Sequence, residues 1–573
     1  MTTTTRDASR SQRGRGLIAL LDFARVSHSR AALFLLALSL LAFLPGFFQI
    51  PPVDRDEARF AQATKQMVET GDYVDIRFQN EVRYKKPVGI YWMQAGAVKL
   101  GERLGVPEAR TTIWLYRIPS LIGAVGAVLL TYWAALAFVS RRGAVLAGVM
   151  LGSSILLGVE ARLAKTDAMQ LLFIVAAMGA MARVYLFQHR PGMADVFGWK
   201  RPAIFWTAIA GGVLLKGPLI LMLVTLSALA LIALDRSARW LWRLRPVAGI
   251  LWVAVLALPW FVAILSRSGD TFLTESLGKD LFAKVASGQE SHGAPPGYYV
   301  ALFWVTFWPA APLTLLAAPA VWTARREPAT RFLLAWIIPA WIMFELVITK
   351  LPHYVLPLYP AIAILIARGL WRGTLSETLW LKRLTLGWPV IAALVPLIGI
   401  GALMTMRHQL GLMAWPLAGA AMVFGFQAWR YYDDDGPEKS LLRATAAAIL
   451  VQIAFLGVIA PSLRPLFPSA TLARVMPADE CDYRIVAAAG YGEPSLVFLI
   501  GTATRHTDGA GAADVLAEGP CRYALVEARH ERAFAQRAEA IGLHYGFAGR
   551  VEGININGGR PLSIAIYRTG KQL

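Results

Sequence analysis

The sequence predicts an α-helical polytopic membrane protein that ends in a small α/β domain, and three observations carry that reading. Apolar residues make up 56% of the 573 and charged residues only 16%, with a mean hydropathy of +0.49; a soluble chain carries about 25% charge. The apolar residues fall in blocks of roughly 18–25, the length that crosses a bilayer core. That pattern stops near Pro461, where short β-like runs, glycines and charges take over.

In chain order, residues 1–30 are basic and polar. The first apolar run starts at Ala31 and ends in "LPGFFQIPP" without a small-x-small cleavage pattern, so it reads as a retained helix. Apolar blocks follow at 114–139, 143–158, 168–187, 203–215, 217–234, 247–266, 299–322, 331–348, 354–370, 385–405, 411–429 and 442–460. With 31–49 they make about thirteen candidate spans. The pair around "GGVLLKGPLI" reads either as one kinked helix or as two.

With the N-terminus in the cytoplasm, alternate loops such as "SRRG", "DRSARWLWRLRP", "TARREPATR" and "ARGLWRGTLSETLWLKR" carry two to four Lys or Arg, while "EARLAKTD", "KGP", "TKLPH" and "MRHQ" opposite carry one or two. The net charge of +20 belongs to this asymmetry. No basic-aromatic stripe or motif points to nucleic acid.

Three longer segments then lie outside: 50–113, 267–298 and everything after 461. The first contains two amphipathic pieces, "DEARFAQATKQMVET" and "KKPVGIYWMQAGAVKLGERLG", suited to the interface plane. The last is a domain of about 100 residues, with β-like runs "YRIVAAAG", "CRYALVEA", "LHYGFAGRVEG" and "LSIAIYR" and a helical "ARHERAFAQRAEAIG". Its "GYGEP" and "GTATRHTDGAGAAD" lack the strand–turn–helix context of a phosphate loop and read as loops. Cys481 and Cys521, the only cysteines, make no metal site and have no CxxC spacing; in an oxidising compartment they could pair.

Ionisable residues collect at the outer span ends. After the first span come Asp54, Asp56, Glu57 and Arg59, then Lys85 and Lys86 in "RYKKP". After the third come Glu160, Arg162, Lys165 and Asp167. Lys216 sits in "LLKGP", the second long loop holds Lys279, Asp280, Lys284, Glu290 and His292, and "TKLPHYVLP" holds Lys350, His353 and Tyr354. Any one of these has a plain reading as a snorkelling lysine or a helix-ending aspartate. Their convergence on one face, beside an interfacial platform, points to an active site at the bilayer edge. An ionised carboxylate can take a proton from an acceptor, and lysines with a tyrosine can neutralise a phosphate leaving group.

"DEARFAQATKQMVETGDYV" followed by "RYKKPVGIYWM" resembles the first periplasmic loop of the bacterial lipid A aminoarabinose transferases and, more loosely, of the protein O-mannosyltransferases. "AKTDAM", "LLKGP", "ESHGAPPGYY" and "TKLPHYVLPLYP" look like the later loop motifs of those families, so the resemblance runs from about residue 50 to 360. It implies a GT-C-type membrane glycosyltransferase that takes its sugar from a polyprenyl-phosphate carrier outside the bacterial inner membrane and delivers it to lipid A, another glycolipid or a protein.

On that resemblance Asp56 is the catalytic carboxylate. Lys86, Lys284, Lys350 and Tyr354 bind the donor phosphate. Lys85, Lys165, Asp167 and His292 line the cavity, where Glu57 and Arg59 orient the loop or contact substrate directly. Lys85 stands where the aminoarabinose transferases usually have Glu, which argues against an essential metal and makes the pocket more positive, a change that suits an acidic sugar such as a uronic acid. A lipid transporter or flippase is the reading from another class; few mid-bilayer charges and no internal repeat weigh against it. A membrane-anchored binding protein is more distant.

Overall fold

A computed structural model of the chain describes residues 15–189, 198–275, 293–476 and 484–569. Within these, each apolar block of the sequence lies on helix. An amphipathic α1 (Arg15–Val26) leads into α2 (His28–Phe43), where the Ser27 hydroxyl accepts from the Arg30 N–H as N-cap. The loop after α2 carries α3 (Asp56–Thr70), a two-stranded hairpin of β1 (Arg77–Phe78) and β2 (Glu81–Val82), and α4 (Gly89–Arg103). The membrane part continues with α5 (Ile113–Ala135), α6 (Arg141–Gly152), α7 (Ile155–Glu160), α8 (Asp167–Gln188), α9 (Lys200–Lys216), α10 (Leu219–Asp235) and α11 (Pro246–Ser268). It closes with α12 (Tyr298–Thr306), α13 (Ala311–Thr323), α14 (Pro328–Leu346), α15 (Tyr359–Arg372), α16 (Gly387–Arg407), α17 (Ala414–Arg430) and α18 (Pro437–Gln452).

The protein is a multi-span membrane protein. Among the described residues seven helical segments are long and apolar enough to cross a bilayer alone, and α12 with α13, bent by 118° between them, meets the same length and composition only as a pair. The remaining blocks form shorter helices, among them α2 and α10. Burial separates the spans: α8 has 78% of its apolar window inside the protein, α11 only 22%. So α8 is a central helix, whereas α11 turns Leu251, Trp252, Val255 and Val262 to lipid. Close approach at the centre depends on small residues. A Cβ on Gly123 of α5 would lie 2.5 Å from Met169 Cα of α8.

"GGVLLKGPLI" is two helices. Gly212 and Ile220 are near enough that a Cβ on the glycine would meet the isoleucine side chain at 2.6 Å; eight residues of continuous helix would separate them by about 12 Å. Gly217, at φ +61, makes the reversal that a side chain would resist.

The C-terminal domain is a five-stranded sheet ordered β4-β3-β5-β7-β6. It runs through α19 (Pro468–Val475), β3 (Ile485–Ala489), α20 (Pro494–Ile500), β4 (Arg505–Thr507), α21 (Gly509–Ala517), β5 (Arg522–Glu527), α22 (Glu531–Ala540), β6 (Tyr545–Asn555) and β7 (Arg560–Thr569). β3 pairs parallel with β4 and β5, and β7 antiparallel with β5 and β6. Both faces are covered, one by Ala512, Leu516 and Phe534, the other by Leu472 and Leu496.

Four strands and α22 fall on the runs read from the sequence. The stretch "GTATRHTDGAGAAD", read as a loop, instead holds β4 and the start of α21, capped by the Asp508 carboxylate, which accepts from the Gly511 N–H at 2.7 Å. A three-residue edge strand and a helix of Ala and Gly give almost no apolar periodicity to read. The possible Cys481–Cys521 pairing involves Cys481, which lies outside the described residues.

Candidate functional site

Asp56 is the first residue of α3, and Glu57 the second, an arrangement the helix dipole favours. The two neighbours have opposite fates. Glu57 is buried and fully used: Arg117 of α5 donates to both of its oxygens at 2.7 and 2.9 Å. The Val53 and Ala164 N–H groups each donate to it at 2.8 Å. Arg117 also donates to the carbonyls of Phe47, Ile50 and Pro51, so this buried pair ties the loop to the top of the bundle.

Asp56 faces the other way, solvent-accessible yet enclosed on most sides by protein, as a group lining a recess would be. Burial acts to raise its pKa, but Lys165, Arg83, His353 and Arg59 outweigh that and hold it below its ordinary value. It is therefore an ionised, weakly basic carboxylate at neutral pH.

Behind it lies a network from three further loops. Lys165 lies 3.1 Å from Glu160 and 3.8 Å from Asp167. Lys216, at the end of α9, lies 2.5 Å from Asp167. His353 places Nδ1 3.7 Å from Glu160 and Nε2 3.4 Å from Asp167. Tyr354 meets His353 edge to face with ring centroids 5.2 Å apart, and the Lys216 ammonium is 5.9 Å from the tyrosine ring.

The structure thus brings Asp56, Arg59, Lys165, Asp167 and Tyr354 into one network. Lys85 is exposed and Lys86 half-buried just after the hairpin, three residues or fewer from Arg83, and the Lys86 ammonium donates to the Lys85 carbonyl at 2.9 Å. Lys350 is buried and turned onto the end of α14, where it donates to the carbonyls of Glu345 and Val347, both at 2.7 Å. Lys284 and His292 lie outside the described residues. Four members were not among the residues assigned a role from sequence: Arg83, Glu160, Lys216 and His353. Arg83, Lys216 and His353 lie inside motifs already noted, and Glu160 four residues before one, so the missing signal was which side chains point inward.

Glu160, Asp167 and His353 offer ligand atoms within 4.8 Å of one another, a spacing a metal ion could use. The donor set does not fit one well. Both Asp167 oxygens and Glu160 Oε1 face lysine ammoniums, which a dication would have to displace. Arg59, Arg83, Lys165 and Lys216 already exceed the three carboxylates by one positive charge, with Lys85 and Lys86 nearby. The excess suits an anion.

Comparison with known proteins fits this arrangement. The profile of the dolichyl-phosphate-mannose-protein mannosyltransferase family matches residues 33–269. Over nearly the whole molecule, the apo crystal structure of ArnT from Cupriavidus metallidurans superposes with a TM-score of 0.73 at 18% identity, covering 93% of this chain and 97% of that one. The chain has the ArnT fold. A second ArnT structure from that organism, bound to undecaprenyl phosphate, matches with a TM-score of 0.71 at the same identity. The unmatched 7% is smaller than the C-terminal domain, so most of that domain belongs to the shared architecture.

Curated relatives include undecaprenyl phosphate-α-4-amino-4-deoxy-L-arabinose arabinosyl transferases. That of Aeromonas hydrophila is 28% identical over 56% of this chain and 57% of its own length. That of Pseudomonas aeruginosa is 30% identical over 58% and 59%, and that of Pectobacterium carotovorum 27% over 70% of each. The chain therefore spans less than two thirds of the length of the Aeromonas enzyme.

Proposed function

We propose that this protein is a glycosyltransferase of the bacterial inner membrane that moves a sugar from a polyprenyl-phosphate donor to a glycolipid such as lipid A, on the periplasmic side. The observation that carries the proposal is Asp56, an ionised carboxylate ringed by Lys165, Arg83 and Arg59 where an outer loop meets the bundle. The names of the relatives and of the ligand-bound ArnT structure supply the donor class.

The loops that meet at the site follow the first, third, fifth and ninth apolar blocks, and the C-terminal domain packs on the first of them. Each pair is separated by an even number of blocks, as alternating crossings require. With the Lys and Arg excess of the other loops, this supports about thirteen spans, a cytoplasmic N-terminus and a periplasmic C-terminal domain.

In the transfer, the acceptor oxygen attacks the anomeric carbon from the face opposite the phosphate. The bond from that carbon to the phosphate oxygen breaks, polyprenyl phosphate leaves with the electron pair, and Asp56 takes any proton the acceptor releases, with inversion at the anomeric carbon. Lys86, Tyr354, Lys216 and Lys284 neutralise the leaving phosphate. Lys350 fixes the end of α14, just before the segment that delivers Tyr354.

Binding of undecaprenyl phosphate to the purified full-length protein tests the donor side. Lys86→Ala and Tyr354→Phe are each expected to weaken it by about 10-fold or more, the loss of one charge-assisted hydrogen bond. Equal binding of undecaprenol, or no effect of either variant, would contradict the phosphate assignment.

A further inference from the structure

The contacts between the C-terminal domain and the site loop run to the carboxylate two residues before Asp56. Asp54 accepts from both the backbone N–H and the hydroxyl of Ser495, each at 2.8 Å. Ser495, in the first turn of α20, is 2% exposed. Its oxygen lies 2.6 Å from the Ser469 hydroxyl of α19, which lies 2.9 Å from that of Tyr491. When Asp54 is ionised it only accepts, and each hydroxyl has one proton, so the chain then has one direction: Tyr491 donates to Ser469, Ser469 to Ser495, and Ser495 to Asp54.

Farther along α3 the same domain holds on by separate contacts. The buried Lys65 donates to the Phe498 carbonyl at 2.9 Å, and Gln62 to the Thr502 hydroxyl at 2.9 Å. Phe498 packs with Ala61, Tyr116 and Ala164.

We infer that Ser495 is a positioning residue for Asp56, so that the C-terminal domain sets the geometry of the transfer site through the Ser495–Asp54 hydrogen bonds. The inference rests on reading Asp56 as the base. Only two peptide units separate Asp54 from Asp56, so the anchor on the first carboxylate lies next to the second. On the opposite side Glu57 is fixed by Arg117, and the turn between is held from two directions.

The pairing also makes a pH signature. Burial raises the Asp54 pKa from 3.8 to about 6 against the pull of both Ser495 hydrogen bonds, and the nearby Glu493 and Glu57 raise it further. Because the folded value is raised, the stability this group contributes is present below 3.8 and is lost as pH rises to about 6. Above that, the ionised carboxylate depends on the two Ser495 donors. Removing the hydroxyl makes Asp54 keep its proton to higher pH.

The test uses the full-length protein in a deletion strain at matched membrane expression. The initial rate at which sugar-modified glycolipid appears is followed from about pH 5 to about pH 8, with undecaprenyl phosphate affinity and thermal midpoint measured on purified protein. Ser495→Ala is expected to lower the rate about 10-fold, the worth of one hydrogen bond to a charged group. It is also expected to move the acid limb to higher pH and to leave undecaprenyl phosphate affinity unchanged. Ser495→Thr restores the rate. Ser469→Ala, one hydroxyl further back, acts in the same direction more weakly and serves if Ser495→Ala does not fold. Lys65→Met lowers the thermal midpoint but leaves the rate per folded molecule near that of the parent.

A Ser495→Ala protein with the parent rate and pH profile, or one losing activity only in proportion to folded protein, overturns the inference. If Asp56→Asn is inactive in the same strain, only the positioning role falls; an active Asp56→Asn instead removes the reading on which it rests.

Discussion

Replacing Asp56 with Asn is expected to lower the transfer rate by about 10²- to 10⁴-fold, the range for loss of a positioned general base, while the protein stays folded and still binds undecaprenyl phosphate. The reason lies in its surroundings. Asp56 is solvent-accessible, so the carboxamide fits in its place. The variant also removes a negative charge from a group of cations, so phosphate affinity should hold or rise. A residue that merely ended a helix would show neither part of this split. The measurement is the rate of glycolipid modification beside undecaprenyl phosphate affinity on the same preparation.

One residue later the expected result is opposite in kind. Glu57→Gln leaves the Arg117 guanidinium, 0% exposed, with no charged partner in this pair. Removing one member of a buried ion pair costs about 3–5 kcal/mol. A large fall in thermal midpoint and in membrane yield should follow, with Arg117→Gln falling alongside. The Glu57 variant is thus lost through folding and the Asp56 variant through chemistry. Thermal unfolding of the two purified proteins separates them; a Glu57→Gln protein as stable as the parent would show that the pair does not hold the loop.

How much of this was legible beforehand follows from the kind of signal each part leaves. Long apolar blocks and the Lys and Arg bias of loops are carried by many residues, so the helices and their order could be read. The face of α3 was legible too, because Ala58, Ala61 and Met67 repeat at helical spacing and are buried. The neighbouring carboxylates were harder. Asp56 and Glu57 are chemically alike in sequence, and only the arrival of Arg117 from 60 residues away turns one inward and leaves the other to the site.

Lys350 shows the same limit. Its motif suggests a phosphate ligand, yet its ammonium reaches back to the carbonyls ending α14. His353 and Lys216 were noted as unusual charges, but their meeting at Asp167 joins elements with no sequence relation. The contact of the C-terminal domain with Asp54 was invisible for the same reason: Ser495 is 441 residues away and belongs to no motif.

The most direct test of the central claim is a mass comparison of total glycolipids and periplasmic glycoproteins from a strain lacking the gene, with and without the restored parent gene. The proposal predicts that a sugar-sized mass disappears from a glycolipid on deletion, that the polyprenyl-phosphate-linked sugar accumulates, and that both return to normal on complementation. Unchanged glycolipids would contradict it, and a sugar lost from proteins instead would move the acceptor to protein.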